Sequence, residues 1–289
     1  MGNAPFHEKT IWITGASSGI GEALALALAK EGARLVLSSR DKAGLDRVAA
    51  ECTTHQPGFE PIVEPFDVAE HDQLPSVVQR VLERTGGIDI LISNAGVGQR
   101  ASALSCEPDV VKRIFNVNFF GAVFLTRELL ASMLKRGSGR IVVVSSVLGT
   151  FHLPGRSAYA ASKHALQGYF DTLRAELRGS GVAVTIVRPG WIETSMSRNA
   201  LTAEGTSYGK ATKALSRKMS PEKCARKILR AVASGKDDAV IGGIERWGGV
   251  LHLLFPRSYD RMVGKKMGEF VFSAEERNLK RRSNMQKNN

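Results

Sequence analysis

The chain has 289 residues, 43% of them apolar and 24% charged, proportions ordinary for a folded globular protein of one large α/β domain, with or without an appendage. No apolar run reaches bilayer-crossing length, Met1–Lys9 lacks the apolar core of a secretory leader, and Phe6 stands where a myristoylation signal needs Ser or Thr. The net charge of +12 raises nucleic acid or an anionic membrane as partners, but no zinc pattern or RNP-like aromatic motif accompanies it, so nucleic acid is set aside.

The elements alternate. Thr10–Ile13 reads as a strand, Thr14-Gly15-Ala16-Ser17-Ser18-Gly19-Ile20-Gly21 as a glycine turn, and Glu22–Lys30, rich in Ala and Leu, as a helix. Strand, turn and helix in this order open a dinucleotide-binding βαβ unit. The glycines let the backbone approach a pyrophosphate, and the helix N-terminus offers it N–H groups and a positive dipole end. The spacing is Gly-x3-Gly-x-Gly, not the commoner Gly-x-Gly-x2-Gly. A second strand is expected at Arg34–Ser38, a helix at Asp41–Cys52, a third strand at Glu60–Phe66 and a helix over 72–85. A strand at Ile88–Ser93 precedes one long helix, Glu107–Arg136, with a break expected near Asn118 or Gly121. Arg140–Ser145 reads as a central parallel strand, Ser157–Arg178 as a helix, Val182–Val187 as a sixth strand. The alternation predicts a Rossmann-like, doubly wound parallel sheet of about seven strands with helices on both faces.

Ligands of such sheets bind beyond the carboxyl ends of the strands, so the residues there are the candidates. Past the second strand stand Ser39 and Arg40; an arginine there pairs with a ribose 2′-phosphate, whereas a carboxylate would accept from a free 2′-hydroxyl. Asp41 follows directly and keeps the second alternative open. Past the fifth strand two serines compete, Ser145 and Ser146. In the next helix Tyr159 and Lys163 are four residues apart and share a face. An ammonium beside a phenol favours phenolate, so this pair predicts an acid/base phenol with its pKa lowered from about 10.

Thr14–Gly21, Asn94-Ala95-Gly96, Ser146, and Tyr159 with Lys163 together resemble the short-chain dehydrogenase/reductase family, in family order and spacing, from about residue 8 to Thr194. The resemblance implies hydride transfer between a nicotinamide and a carbonyl or alcohol. Gly15, Ser17, Ser18, Gly19 and Ile20 would then hold the pyrophosphate. Asp67 and Val68 would hold the adenine, and Asn94, Ala95 and Gly96 would also bind the cofactor. Pro189, Gly190, Ile192 and Thr194 would clamp the carboxamide. It selects Ser146 over Ser145 as the group that orients the substrate oxygen, makes Tyr159 the general acid/base, and puts Lys163 on the ribose. Asn118, preferred to Asn116 by the following Phe-Phe-Gly, would anchor a water that passes protons to Lys163. Ser93 departs from the family's usual asparagine. With Arg40, the expected cofactor is NADP(H) ahead of NAD(H), and no metal is expected. The family also implies a last strand, Asp238–Ile241, and a homodimer or homotetramer.

Residues 1–245 are read as one cofactor-binding and catalytic domain, with a substrate lid at about 195–225, and 246–289 as a basic and apolar C-terminal extension. In the lid, Met196, Leu201, Tyr208, Leu215 and Met219 suggest a hydrophobic carbonyl substrate; its basic residues suggest an anionic tail instead. Residues 200–236 carry nine Lys/Arg against two Asp/Glu, and residues 256–289 nine against four. Most of this reads as solvated surface, with weak contact to an anionic membrane surface through the C-terminal region as the alternative. Trp247–Phe255 is short and apolar and is expected to pack over the substrate cleft or in a subunit interface; an interfacial anchor for a peripheral membrane enzyme is the other use. A cofactor-binding regulator without turnover is the competing class, disfavoured by the intact Ser146, Tyr159 and Lys163. The odd, scattered Cys52, Cys106 and Cys224 fit a reducing, cytoplasmic setting.

Overall fold

The computed structural model describes residues 5–210 and 218–265. Seven parallel strands form one sheet in the order β3-β2-β1-β4-β5-β6-β7. They are β1 (Thr10–Thr14), β2 (Arg34–Ser38), β3 (Ile62–Val63), β4 (Ile90–Ser93), β5 (Gly139–Val144), β6 (Val182–Pro189) and β7 (Asp238–Ile241). The chain winds outward from β1 to β3, then returns and winds the other way through β4. The crevice between the β1 and β4 ends is therefore the topological switch point where such sheets bind ligands.

Side chains on the central strands alternate between two cores. Ile11, Ile13, Val142 and Val144 face one core, under α1 (Gly19–Lys30), α2 (Lys42–His55) and α7 (Pro221–Ala233). Trp12, Leu91, Ile141 and Val143 face the other, under α3 (Leu74–Thr85), α5 (Gly121–Arg136) and α6 (Ser157–Glu176). Trp12 is fully buried, and its indole N–H donates to Ser38 Oγ at 2.9 Å. That bond meets the need of a buried polar tip to find a partner.

Three expectations are corrected. The third strand shrinks from Glu60–Phe66 to Ile62–Val63, because Pro61 and Pro65 flank it and lack the N–H that a ladder needs; β3 is accordingly an edge strand. The long helix does not break. α4 (Pro108–Phe115) continues through a π-helical segment, Asn116–Phe120, into α5, so the anticipated irregularity is one wide turn. Joined, Pro108–Arg136 has the length and composition of a membrane span, contrary to the sequence reading. It is a core helix here, with Val110, Ile114, Val117, Leu125, Leu129 and Met133 buried.

After β7 a 3₁₀ turn (Ile244–Trp247) leads into α8 (Gly248–Leu254) and α9 (Pro256–Val263). A Cβ on Gly248 would fall 2.7 Å from the Phe151 ring, so glycine lets α8 sit directly on the segment after β5. Tyr259 and Val263 of α9 are buried with Phe151, Leu153 and Tyr159, and Tyr259 donates to the His152 carbonyl at 2.8 Å. His152 also meets Asp260 at 3.0 Å.

Candidate active site

One cavity of about 680 Å³, within the usual size for a small-molecule site, opens along the carboxyl ends of the strands. Its lining includes Gly15, Ser17, Ser18, Gly19 and Ile20 from the glycine turn, Ser39 and Arg40 after β2, and Asp67 and Val68 after β3. It includes Asn94, Ala95 and Gly96 after β4, Ser146 after β5, Tyr159 and Lys163 on α6, and Pro189, Gly190, Ile192 and Thr194 at the end of β6. Every predicted site residue except Asn118 is in this set.

The two turns at the switch point are welded together. Thr14 Oγ1 accepts from the backbone N–H groups of Asn94 and Ala95, both at 3.1 Å, and Asn94 Nδ2 donates to the Thr14 carbonyl at 3.0 Å. Gly15 has φ +67°, and a Cβ there would lie 2.9 Å from Ala95 Cα; only glycine allows this approach. Helix α1 begins at Gly19, earlier than the sequence suggested, and the Ser18 hydroxyl makes no capping bond. The first residues of α1, Gly19 and Ile20, line the cavity, so a helix N-terminus, which favours a phosphate, borders it. A Cβ on Gly96 would fall 3.2 Å from Asn118 Oδ1 and 3.7 Å from Lys163 Nζ, so glycine keeps this part of the floor clear. The residues present fit a dinucleotide laid across the crevice.

At the far end of β2, Arg40 Nη1 meets Asp67 Oδ2 at 3.4 Å. Asp67 is no cap for α3; its Oδ1 accepts from the Ala69 N–H at 3.0 Å. Asp41, the rival to Arg40, lines the cavity too but also caps α2, with Oδ1 accepting from the Gly44 N–H at 3.0 Å. Ser93 lies behind the floor, buried, with no hydrogen-bond partner for its hydroxyl, and does not line the main cavity.

Ser146, Tyr159 and Lys163 are all buried. Ser146 Oγ accepts from the Leu148 N–H at 3.1 Å, which fixes its position and leaves its own hydrogen to donate; its hydroxyl acts on the Tyr159 phenol in the direction of a lower pKa. Ser145 is structural, its hydroxyl donating to the Lys163 carbonyl at 3.1 Å. Lys163 Nζ donates to the Val144 carbonyl at 2.9 Å and stands 5.9 Å from the Tyr159 ring centroid. Asn118 is buried beneath: its Oδ1 accepts from the Val97 N–H at 2.8 Å, and its Nδ2 donates to the Val97 carbonyl and to Ser162 Oγ, both at 3.0 Å. The π-helical turn aims this amide at the loop after β4.

The electrostatics differ from expectation. Burial raises the Tyr159 pKa, and the hydrogen bond from Ser146 and the charge of Arg156 offset it only in part. Burial also lowers Lys163, to about 8. Sequence reasoning had Lys163 drive the phenol toward phenolate, but desolvation pushes both groups toward their neutral forms. Tyr159 is thus held as the protonated acid at neutral pH.

Two residues that shape the site carried no local signal. Gln99, fully buried, accepts through Oε1 from the Tyr159 backbone N–H at 3.1 Å, and so caps α6 from 60 residues away. Arg156 donates to the Gln99 carbonyl and lines the cavity, with burial and the neighbouring Arg100 holding its pKa down to about 10. Arg100, Arg113 and Lys218 also line the cavity; Leu148, Leu153, Trp191, Met196 and Leu201 supply apolar lining. Of the other lid candidates, Tyr208 lies under Arg100, 5.5 Å from its ring centroid, Met219 bridges to Ile192, and Leu215 is outside the described residues. His152, His252 and Asp260 bring three potential metal-ligand atoms within 4.8 Å of one another, but none of them lines the cavity.

A family profile described as short chain dehydrogenase matches residues 9–205. The "Dehydrogenase/reductase SDR family protein 7-like" of Drosophila melanogaster is 43% identical over 239 residues, 82% of this chain and 73% of its own. The crystal structure of a short-chain dehydrogenase from Streptomyces avermitilis superposes with a TM-score of 0.76 at 28% identity, covering 91% of this chain and 97% of that one. An alcohol dehydrogenase from the archaeon Thermococcus sibiricus, complexed with 5-hydroxy-NADP, superposes at 0.69 with 26% identity over 82% of this chain and 95% of its own.

Proposed function

Because the chain belongs to the short-chain dehydrogenase/reductase family, we propose that it is an NADP(H)-dependent reductase of carbonyl compounds with Tyr159 as proton donor. The observation that carries this reading is that Ser146, Tyr159 and Lys163, all buried, line the same cavity as the glycine turn. When bound, the nicotinamide supplies the hydride to the substrate carbon. The protein does the rest. Ser146 donates its hydrogen to the substrate oxygen and holds it beside the phenol. Tyr159, kept protonated by burial, gives that oxygen its proton as the alkoxide forms. Lys163 would contact the cofactor ribose, and Asn118, by fixing Val97 and Ser162, keeps the floor in register. The reverse reaction oxidises an alcohol through the same atoms.

NADP(H) is preferred to NAD(H) on the strength of Arg40, whose guanidinium can pair with a 2′-phosphate, and of Asp41, whose carboxylate is engaged as a helix cap. The Thermococcus enzyme with its bound NADP derivative supports the same choice. The apolar and cationic side chains that line the one cavity suit a hydrophobic carbonyl compound that carries an anionic end. We place such an enzyme in the cytoplasm, as a homodimer or homotetramer packed through its long helices.

The test is consumption of NADPH and of NADH, followed by absorbance, against a panel of neutral and acidic lipophilic ketones and aldehydes. Tyr159→Phe should lower turnover about a thousandfold while NADPH affinity stays within about twofold. Full activity in that variant removes the proposed acid. Tight cofactor binding with no turnover on any carbonyl would favour the non-catalytic regulator.

A further inference from the structure

Eight of the twelve large apolar side chains exposed among the described residues fall between Ile244 and Met262. Leu253 is 79% exposed, Ile244 77%, Leu254 62%, Phe255 58% and Trp247 57%. Trp247, Val250, Leu251 and Leu254 recur at the spacing of a helical stripe and make one face of the 3₁₀ turn and α8. The opposite face is already used: Gly248 and Gly249 lie against Phe151 and Thr150. Scattered exposed leucines are ordinary on a protein surface, but a contiguous patch of this kind marks an interaction surface.

The charges around the patch indicate its partner. Arg246, Arg257, Arg261 and Lys265 are exposed beside it, and Arg246 packs its guanidinium 5.2 Å over the Trp247 ring. Of the two acids in the segment, Glu245 turns inward to the Trp191 and Gly243 N–H groups, and Asp260 pairs with His152. An apolar face of Trp, Leu and Phe rimmed by cations is the composition of an interfacial membrane segment. A second protein surface would need a matching apolar face with acidic rim, and nothing of that description is exposed elsewhere in the described residues.

We propose that the segment Ile244–Lys265 docks this protein onto an anionic membrane surface, with Trp247, Val250, Leu251, Leu253, Leu254 and Phe255 entering the interface and the four cations meeting lipid headgroups. The consequence is geometric. The inner side of the same pair of helices, through Tyr259 and Val263, packs in one cluster with Leu153, Met196 and Tyr159. Leu153 and Met196 belong to the apolar wall of the cavity. Docking therefore sets that wall one helix layer from the bilayer, where lipophilic molecules partition. The docking itself stands apart from the proposed chemistry, and its test does not read turnover.

The experiment is co-sedimentation of the full-length protein with phosphatidylcholine vesicles with and without phosphatidylserine, at low and high salt, together with Trp247 fluorescence. We expect binding to the anionic vesicles at low salt, weakened at least about tenfold by high salt or by Arg257→Glu/Arg261→Glu, and a blue shift absent in Trp247→Phe. Leu253→Glu/Leu254→Glu should lower partitioning by more than about tenfold with circular dichroism and melting temperature unchanged. The proposal fails if the protein ignores anionic vesicles at low salt, or if that variant binds them as well as wild type. It fails equally if wild type is a dimer by light scattering that the same variant disperses, since a second copy then covers the patch.

Discussion

The backbone N–H of Tyr159 donates to the side chain of Gln99 at 3.1 Å, tying the start of the helix that carries the phenol to the loop after β4. Three further bonds converge on this junction: Arg156 donates to the Gln99 carbonyl, Gln99 Nε2 reaches Ser157 Oγ at 3.5 Å, and Ser162 Oγ donates to the Tyr159 carbonyl at 2.8 Å. Gln99 is a positioning residue: it touches the helix backbone and does not meet the reacting atoms.

Gln99→Ala leaves a buried N–H without its acceptor, a cost of about 1–3 kcal/mol, and frees the first turn of α6 to shift. Turnover should fall about tenfold or more while NADPH affinity holds. Gln99→Glu, which keeps an acceptor oxygen at the same place, should recover most of the turnover at neutral pH. Equal losses in the two variants would show that the size of the residue matters and its acceptor does not.

The direction of the Tyr159 shift sets the pH profile. A phenol with a raised pKa stays protonated through neutral pH, so carbonyl reduction should be flat there and decline only on the alkaline side of 10. Alcohol oxidation, which needs the phenolate, should rise with pH over the same range. Initial rates in both directions across pH check this; a reduction rate that already falls by pH 7 would contradict the burial effect.

Arg40→Asp replaces the only arginine that lines the cavity at the end of β2 with a carboxylate able to accept from a ribose 2′-hydroxyl. It also breaks the contact with Asp67 and sets two acids together. The ratio of kcat/KM for NADPH over NADH should drop about a hundredfold, most of it as weaker NADPH binding. An unchanged ratio would mean that the phosphate is read by another group.

Alkaline stability should be controlled by two buried thiols. Burial raises Cys52 and Cys224 from about 9 to about 12. Between those values the folded chain holds a proton that the unfolded chain has released, so stability is full below pH 9 and is lost as pH climbs toward 12. Lys163 acts in the opposite sense: its folded value of about 8 lies below the ordinary 10.5, so the unfolded chain holds the extra proton and stability rises with pH across that window. Tyr159 adds a loss above pH 10. Thermal melts from pH 8 to 11 should fall less steeply in Cys52→Ala/Cys224→Ala than in wild type; parallel curves would rule the thiols out.

What the sequence determined by itself was whatever a single element or turn encodes. The unbroken apolar runs Ile11–Ile13 and Ile141–Val144, the glycines of Thr14–Gly21 and the four-residue step from Tyr159 to Lys163 are local signals. They sufficed for the sheet and the switch-point crevice, and with the family resemblance for about half of its lining. The tertiary structure decided what depends on segments distant in the chain. Gln99 and Arg156 entered the site because a loop folds back against α6. Asp41 was tied to a helix start while still lining the cavity, and Trp247–Phe255 proved to be packed on one face and bare on the other. The sign of the Tyr159 shift belongs to the same class. Spacing places a lysine near a phenol, but Val147, Leu148 and Leu153 pack with the phenol and burial desolvates both groups, which pushes each toward its neutral form.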